Sequence, residues 1–278
     1  MCGFLLYFSY ERRILLNTIT SRSNRLIIET SKLSSKKYRD ENRLFYFEGR
    51  KLLDEALSNG VVPIRVFLTE KNARVADALP DECEKHLVSD EVYAKLTEEK
   101  SPEGIFSVVK HLDSLHNFAT IYNGVECERC FAAVSVRDPG NIGTLMRTAA
   151  ALGIDRLILS SDCADIYSPK TLRASMGALF RIKTVRCADM VSTLSSLPSN
   201  GIVPMAACLS DKAVTLGKYE LPENVCFVVG NEGHGLDREV VSACAGGEII
   251  IPMTSGAESL NVSSAASILM WEDLRRRL

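Results

Sequence analysis

The stretch VRDPGNIGTLMRTAAALGIDRLIL, Val136 to Leu159, holds the end of one strand, a turn, a helix and the next strand. Pro139 and Gly140 form the turn directly after the apolar run FAAVSV, and Asn141 is suited to cap the helix that follows. At about 100° per residue, Ile142, Leu145, Met146, Ala149 and Leu152 share one face of that helix. Arg147 falls on the opposite side, available to solvent, a partner or a substrate. A strand, a helix and a second apolar strand in immediate succession make the repeating unit of a parallel sheet covered by helices.

The same alternation continues outward. FAAVSV, DRLILS, IKTVR, GIVPMAAC, NVCFVVG and GEIIIPM are short runs rich in Val and Ile, as expected of strands with both faces covered. Helices are expected at Ile142–Leu152, Pro169–Leu179, Met190–Leu197, Asp237–Ala245 and Val262–Arg277. Arg275, Arg276 and Arg277 fall in the final turn, where positive charge suits the helix dipole.

The front of the chain reads as a second, smaller α/β unit. ETSKLSSKKYRDENRL is helix-like, FYFEG strand-like, and RKLLDEALSNG an amphipathic helix stopped at Gly60. IRVFLT (strand), NARVADALP (helix), KHLVS (strand), DEVYAKLTEE (helix) and GIFSVVK (strand) complete it, and their alternation predicts a mostly parallel sheet here too. The expected organisation is an N-terminal extension over 1–19, a front domain over 20–112, a linker over 113–128 and a rear domain over 129–278.

Bulk properties fit a globular protein: 46% hydrophobic and 24% charged residues. No window approaches the roughly 18 apolar residues of a membrane span. MCGFLLYFSYERRILLNTIT is mildly signal-like, but its basic residues follow the apolar run and no small-residue cleavage site is evident, so it reads as an extension. The nine cysteines show no disulfide framework, which points to reduced thiols and a cytoplasmic location. Cys127 and Cys130 form a lone C-x-x-C without a second pair or paired histidines, so no metal is expected. The net charge of −2 hides an asymmetry: Met1 to Lys51 carries 11 Lys+Arg against 5 Asp+Glu. A basic front end on an acidic body suggests a polyanionic partner.

Three strand-to-loop stretches of the rear half stand out. The first is the opening one. The second, CFVVGNEGHGLDREV (Cys226–Val240), runs an apolar strand into a glycine-rich loop bearing Glu232 and His234. Glu232 is either a loop-bracing acceptor or a functional carboxylate, and His234 reads as a loop residue. The third, IIIPMTSGAESLNVSSAA (Ile249–Ala266), places Ser259, Leu260 and Asn261 at a helix start. Ligands of open α/β sheets sit beyond the carboxyl ends of strands, so all three loops are placed to line one pocket. An early G-x-G-x-x-G, a P-loop and a G-x-S-x-G elbow are all lacking, which argues against a nucleotide-dependent oxidoreductase or a hydrolase.

RDPGNIGTLMRTAAALG, VVGNEGHGL and IPMTSGAESLNVSSAA, in this order, resemble the three motifs of the SPOUT superfamily of RNA methyltransferases, in its SpoU (TrmH) branch. KTLRASMGALFRIKTV between them resembles the family as well, and the likeness runs from about Phe131 to the C-terminus. ITSRSNRLI and FYFEGRKLLDEAL resemble the L30e-like RNA-binding domain that often precedes it.

The resemblance implies a deep trefoil knot in the rear domain, an exception to unknotted chain connection, and a homodimer. It implies methyl transfer from S-adenosylmethionine to a ribose 2′-hydroxyl of RNA, with ribosomal RNA, large-subunit in kind, the expected target. A transfer-RNA enzyme or a non-catalytic RNA-binding relative are the alternatives. By position, Gly230, Ile251 and Leu260 would hold the cofactor through backbone groups, and Asn141, Arg147, Glu232, Ser259 and Asn261 would form the catalytic cluster. The family proposal makes the arginine at the position of Arg147 the proton acceptor. Arginine is a poor base, and we expect Arg147 chiefly to clamp the adjacent phosphate and stabilise developing charge.

Overall fold

The computed structural model describes residues 18–112, 129–254 and 259–278. The expected linker, Cys127 and most of the expected N-terminal extension lie outside them. The chain divides into two compact units, one from Met1–Leu53 and Val62–Lys110, the other from Asp54–Val61 and His111–Leu278.

The front unit holds strands β1 (Thr18–Ile19), β2 (Leu44–Glu48), β3 (Arg65–Leu68), β4 (Glu84–Val88) and β5 (Ile105–Lys110), in the order β1-β4-β3-β5-β2. Thr18 and Ile19, the last described part of the expected extension, pair in parallel with β4. Helices α1 (Arg25–Ser31), α2 (Lys36–Asn42), α3 (Arg50–Ser58) and α4 (Asp90–Leu96) connect them. Asn24 caps α1 by accepting the Leu26 N–H at 2.9 Å, and Ser89 caps α4. The polar stretch expected as one helix breaks into α1, a 3₁₀ turn and α2, and NARVADALP is 3₁₀-helical only as far as Ala78, in a helix of Glu70–Ala78.

The front sheet corrects the expectation of a mostly parallel arrangement. β1, β4 and β3 are mutually parallel, but β5 runs antiparallel to both β3 and β2. The β2-α3-β3 crossover does place two strands in one direction, and β5 then inserts between them the other way. Ile27, Tyr46, Phe67, Val92 and Phe106 fill the core on one face of this sheet.

The rear unit carries β6 (Cys130–Ala133), α5 (Pro139–Ala151), β7 (Arg156–Ser160), α6 (Pro169–Ser175), β8 (Lys183–Cys187), α7 (Met190–Ser196), β9 (Val203–Ala207), β10 (Val214–Thr215), β11 (Val225–Val229), α8 (Arg238–Ser242), β12 (Glu248–Ile250) and α9 (Val262–Arg275). All six expected strands are present, and the two-residue β10 joins them. The order is β10-β12-β9-β11-β6-β7-β8, and every pairing between neighbours is parallel. From β6 the chain steps outward to β7 and β8, whereas β11 and β9 lie on its other side. The strand order therefore reverses between β6 and β11, the point beyond whose carboxyl ends open α/β sheets bind their ligands.

Packing in this unit is close enough to dictate sequence. A Cβ on Gly143 would stand 2.4 Å from the Ala174 Cβ and 2.7 Å from the Thr171 carbonyl oxygen, so glycine lets α5 lie directly on α6. Helix α6 stops at Met176, which adopts a left-handed conformation (φ 51°), so the helix expected through Leu179 ends early.

The terminal arginines do more than balance a helix dipole. Asp273 is buried and accepts from Arg129 at 2.7 Å and from Arg276 at 2.7 Å. Arg129 also donates to the carbonyls of Leu152 and Gly153, tying the end of α5 to α9. Arg276 reaches the carbonyls of Leu221, Pro222 and Glu223, and Arg277 that of Glu223. Burial pushes the Asp273 carboxyl up, but hydrogen bonds from Arg276 and Arg129 outweigh it and hold the group below its usual range.

Candidate functional site

The loops after β6 and β11 leave adjacent strands at the reversal point, and their first residues hold each other. Ser135, just past β6, has a positive φ of 54°, unusual for a residue with a side chain. Its N–H is held by Ser160 Oγ at 2.8 Å and its carbonyl accepts from Asn231 Nδ2 at 2.9 Å. Asn231 Oδ1 accepts the N–H of Gly233 at 2.8 Å and that of His234 at 3.3 Å, while the Asn231 backbone pairs with Gly235. One side chain thus folds the glycine-rich loop and fixes it to the neighbouring strand. Gly230 admits no side chain here, because a Cβ would lie 2.3 Å from the Gly235 carbonyl oxygen.

The cap of α5 differs from expectation. Asp138, not Asn141, accepts the orphan N–H, that of Asn141 itself, at 2.9 Å. Pro139 explains the shift: it occupies the first helical position, where its missing N–H costs nothing, so the cap falls one residue before it. That hydrogen bond and the one from Lys170 hold the Asp138 carboxyl below its usual range. Asn141, released from capping, lies in the first turn with its amide free for other work.

That amide bridges the other two motifs. Asn141 Nδ2 donates to Glu232 Oε1 at 2.6 Å, and Asn141 Oδ1 accepts from Asn261 Nδ2 at 3.1 Å. Asn261 caps α9, its Oδ1 accepting the Ser263 N–H at 3.0 Å and the Ser263 hydroxyl at 2.6 Å. Three side chains separated by 91 and 120 residues in sequence form one hydrogen-bonded row that links the three loops.

The remaining candidates are placed around this row. Gly230 follows β11 directly, Ile251 follows β12 and is half-buried, and Leu260, beside Asn261, is exposed. Ser259 is exposed and makes no hydrogen bond among the described residues. Leu209, just past β9 at the same sheet edge, is 62% exposed. His234 is an exposed loop residue, as expected.

Arg147 stands apart. Ile142, Leu145, Met146 and Ala149 are fully buried, and Arg147 is exposed on the other side of α5 with no hydrogen bond or ion pair among the described residues. It lies six residues past Asn141, about 9 Å along the axis, and is not part of the bonded row within one chain. Its neighbour Thr148 meets Ser267 of α9 at 3.4 Å, so Arg147 borders the α5–α9 seam. Along α9, Ile268 and Trp271 are exposed, the latter at 48%.

Sequence reasoning passed over Asn231 and Ser263. The signal for Asn231 was an Asn flanked by Gly230 and, two residues on, Gly233, the setting of a side chain that closes its own turn. Ser263 left no comparable signal, since serine in a first helical turn is ordinary.

Comparison with known proteins gives a consistent neighbourhood. Residues 128–271 match the SpoU rRNA Methylase family, and residues 24–107 match the MRM3-like substrate binding domain. A 23S rRNA (guanosine(2553)-2′-O)-methyltransferase of Bacillus subtilis is 32% identical, over 91% of this chain and 97% of its own. The mitochondrial rRNA methyltransferase 3A of Danio rerio is 29% identical, over 92% of this chain and 69% of its own. Among solved structures, an AdoMet-bound rRNA methyltransferase from Sinorhizobium meliloti superposes with a TM-score of 0.83 at 28% identity, covering 95% of this chain and 99% of the other.

Proposed function

The chain belongs to the SpoU rRNA methylase family, and from that premise we propose that it transfers a methyl group from S-adenosylmethionine to a ribose 2′-hydroxyl of ribosomal RNA, in the large subunit. The observation that carries this reading is the row Glu232–Asn141–Asn261, which links the three motif loops where the strand order reverses. The B. subtilis and S. meliloti relatives support ribosomal RNA as the substrate and S-adenosylmethionine as the donor.

The residues around this row suit that cofactor. Exposed Leu209 and Leu260 and half-buried Ile251 offer apolar contact for a nucleoside and the aliphatic part of its sulfonium-linked chain. Gly230, Ile251 and Leu260 would hold it through backbone groups. When bound, the sulfonium supplies a methyl group that is already activated. The protein is left to align the acceptor hydroxyl and to handle its proton. We assign alignment to Asn141, Glu232, Ser259 and Asn261. Arg147 clamps the phosphate next to the reacting sugar and stabilises charge on its oxygen, with deprotonation assisted by that phosphate.

We propose that the protein works as a homodimer, in keeping with this assignment of Arg147. A second copy gives the exposed Ile268 and Trp271 a cover, and gives an arginine outside its own chain's row a row to serve in the other. We propose a trefoil knot in this unit as well, a reading supported by α9, which follows the edge-side β12 in sequence, packing on α5 and β11. The front domain (20–112) binds the RNA, a reading supported by the match to a substrate-binding domain. The linker is 113–128 and the catalytic domain 129–278. We place the protein in the cytoplasm, in keeping with nine cysteines whose spacing suggests no disulfide framework.

Incubating the protein with tritiated S-adenosylmethionine and separated ribosomal and transfer RNA tests the reaction, and mapping ribose methylation in a deletion strain finds the nucleotide. Label in large-subunit ribosomal RNA is expected. Label in transfer RNA alone would move the substrate, and RNA binding without label would leave a non-catalytic relative.

A further inference from the structure

We infer that Ser263 is a positioning residue, whose hydroxyl and backbone N–H set the polarity of the Asn261–Asn141–Glu232 row and leave one oxygen of Glu232 as its open acceptor. The consequence for turnover rests on the methyl-transfer reading; the row itself does not.

The polarity follows from what each end can do. A backbone N–H only donates, so the Asn261 atom 3.0 Å from the Ser263 nitrogen is the amide oxygen. The Ser263 hydroxyl donates to that same oxygen at 2.6 Å. With its oxygen engaged twice, Asn261 turns its nitrogen to Asn141, and a nitrogen must face an oxygen, Oδ1, at 3.1 Å. Asn141 is then left with its nitrogen toward Glu232, whose ionised carboxylate only accepts, at 2.6 Å. Flipping either amide would set oxygen against oxygen or nitrogen against nitrogen at some link. The row is therefore directional, donated from the start of α9 and ending on Glu232 Oε1. Oε2 accepts no hydrogen bond among the described residues, and the exposed carboxylate offers it to an incoming hydroxyl.

Ser263 is suited to this task. It is 8% exposed, so solvent is poorly placed to substitute for its hydroxyl. Its Oγ also lies 3.5 Å from Asn141 Oδ1, so a single hydroxyl stands between the two amide oxygens. Ser267 Oγ donates to the Ser263 carbonyl at 2.7 Å and fixes the turn that carries it. The Asn231 amide belongs to a separate brace on Ser135 and serves as an internal control.

The test uses the full-length protein and the variants S263A, S263T, N261A and S263A/N261A. In S263A, kcat falls roughly tenfold, as a modest misplacement of aligned groups produces, with KM for RNA and for S-adenosylmethionine unchanged. S263T, which keeps the hydroxyl, retains most of the rate, and in the N261A background S263A costs nothing further. Independently of activity, the side-chain amide protons of Asn141 and Asn261 exchange faster with solvent in S263A by NMR, while those of Asn231 do not. Unchanged exchange at Asn141 and Asn261 in S263A, or the same tenfold loss in the N261A background, would overturn the proposal. If the wild-type protein methylates no RNA and the amides still respond as stated, the methyl-transfer reading falls and the relay stands.

Discussion

The two sheets use similar strands and helices to opposite effect. In the front sheet β5 runs against its neighbours, so the strand ends are shared between both edges. In the rear sheet every pairing is parallel, so the loops after β6, β9, β11 and β12 all leave from one edge. A parallel sheet whose order reverses concentrates loops where backbone donors and polar side chains converge. A mixed sheet yields a platform of side-chain surface instead. Parallelism in the rear unit is thus what lets residues 120 apart in sequence bond side chain to side chain.

The units also differ in how they carry buried charge, and the largest effect we expect breaks the rear one. Asp273 is 2% exposed and faces Arg129, Arg276 and Arg277. Asp273→Ala strands these guanidinium groups, and losing one member of a buried pair costs about 3–5 kcal/mol. The single tryptophan, Trp271, lies two residues away on α9. Its fluorescence should show the rear unit melting earlier while hydrogen exchange in β2–β5 stays at wild-type rates. Because the native carboxyl is depressed, its contribution is present above roughly pH 4, the range of an unfolded Asp. It is lost as the pH falls through the native value, so the variant's deficit should shrink toward acid. A deficit that is constant with pH would show that charge is not what Asp273 supplies.

The next effect separates chemistry from stability within the rear unit. Arg147 is exposed and unpartnered among the described residues, so Arg147→Lys should leave the melting curve and RNA binding alone. Loss of an aligned donor to developing charge costs about a hundredfold in kcat, and a lysine does not reproduce the planar fork. Turnover near the wild-type rate would remove the phosphate clamp from the mechanism.

What the sequence made legible follows the same division. The Val- and Ile-rich rear strands and the helices between them read directly, because both sheet faces are covered and the runs stay apolar. The two-residue β1 and β10 are too short to carry a pattern. The direction of β5 was not legible either, since alternation of strand and helix says nothing about where the last strand inserts. Asn141 was found as a residue and misread as a cap, because Pro139 moved the cap to Asp138. The arginines of the last turn read as dipole partners, whereas Arg276 and Arg277 tether a loop 53 to 55 residues away in sequence.

That corrected cap gives a smaller effect. Asp138→Ala should cost about 1 kcal/mol, the usual price of a lost N-cap. It should lower turnover along with stability, because Asn141 takes its place from that capped turn. Full activity at reduced stability, in an assay run well below the melting temperature, would show that the row holds without the cap.

The smallest effect belongs to the front unit and runs in the opposite sense from Asp273. Burial pushes the Glu48 carboxyl above its usual range, against hydrogen bonds from Thr97 and Tyr93 that act to lower it. Here the folded state holds its proton more tightly than the unfolded chain. The charged form at neutral pH is therefore a liability, and stability falls as the pH rises through the raised native value. Glu48→Gln removes that charge and keeps an oxygen for the Tyr93 hydroxyl, which donates to Glu48 at 3.0 Å. At pH 7 the front unit should be as stable as wild type or more so, by less than about 1 kcal/mol. Hydrogen exchange in β2 and β5, followed from pH 7 down to pH 4.5, reads the comparison directly. The wild-type protein should gain protection relative to the variant as Glu48 takes up its proton. A variant less stable than wild type at pH 7 would mean that the Tyr93 and Thr97 contacts need the ionised carboxylate, and that both units rest on buried charge in the same way.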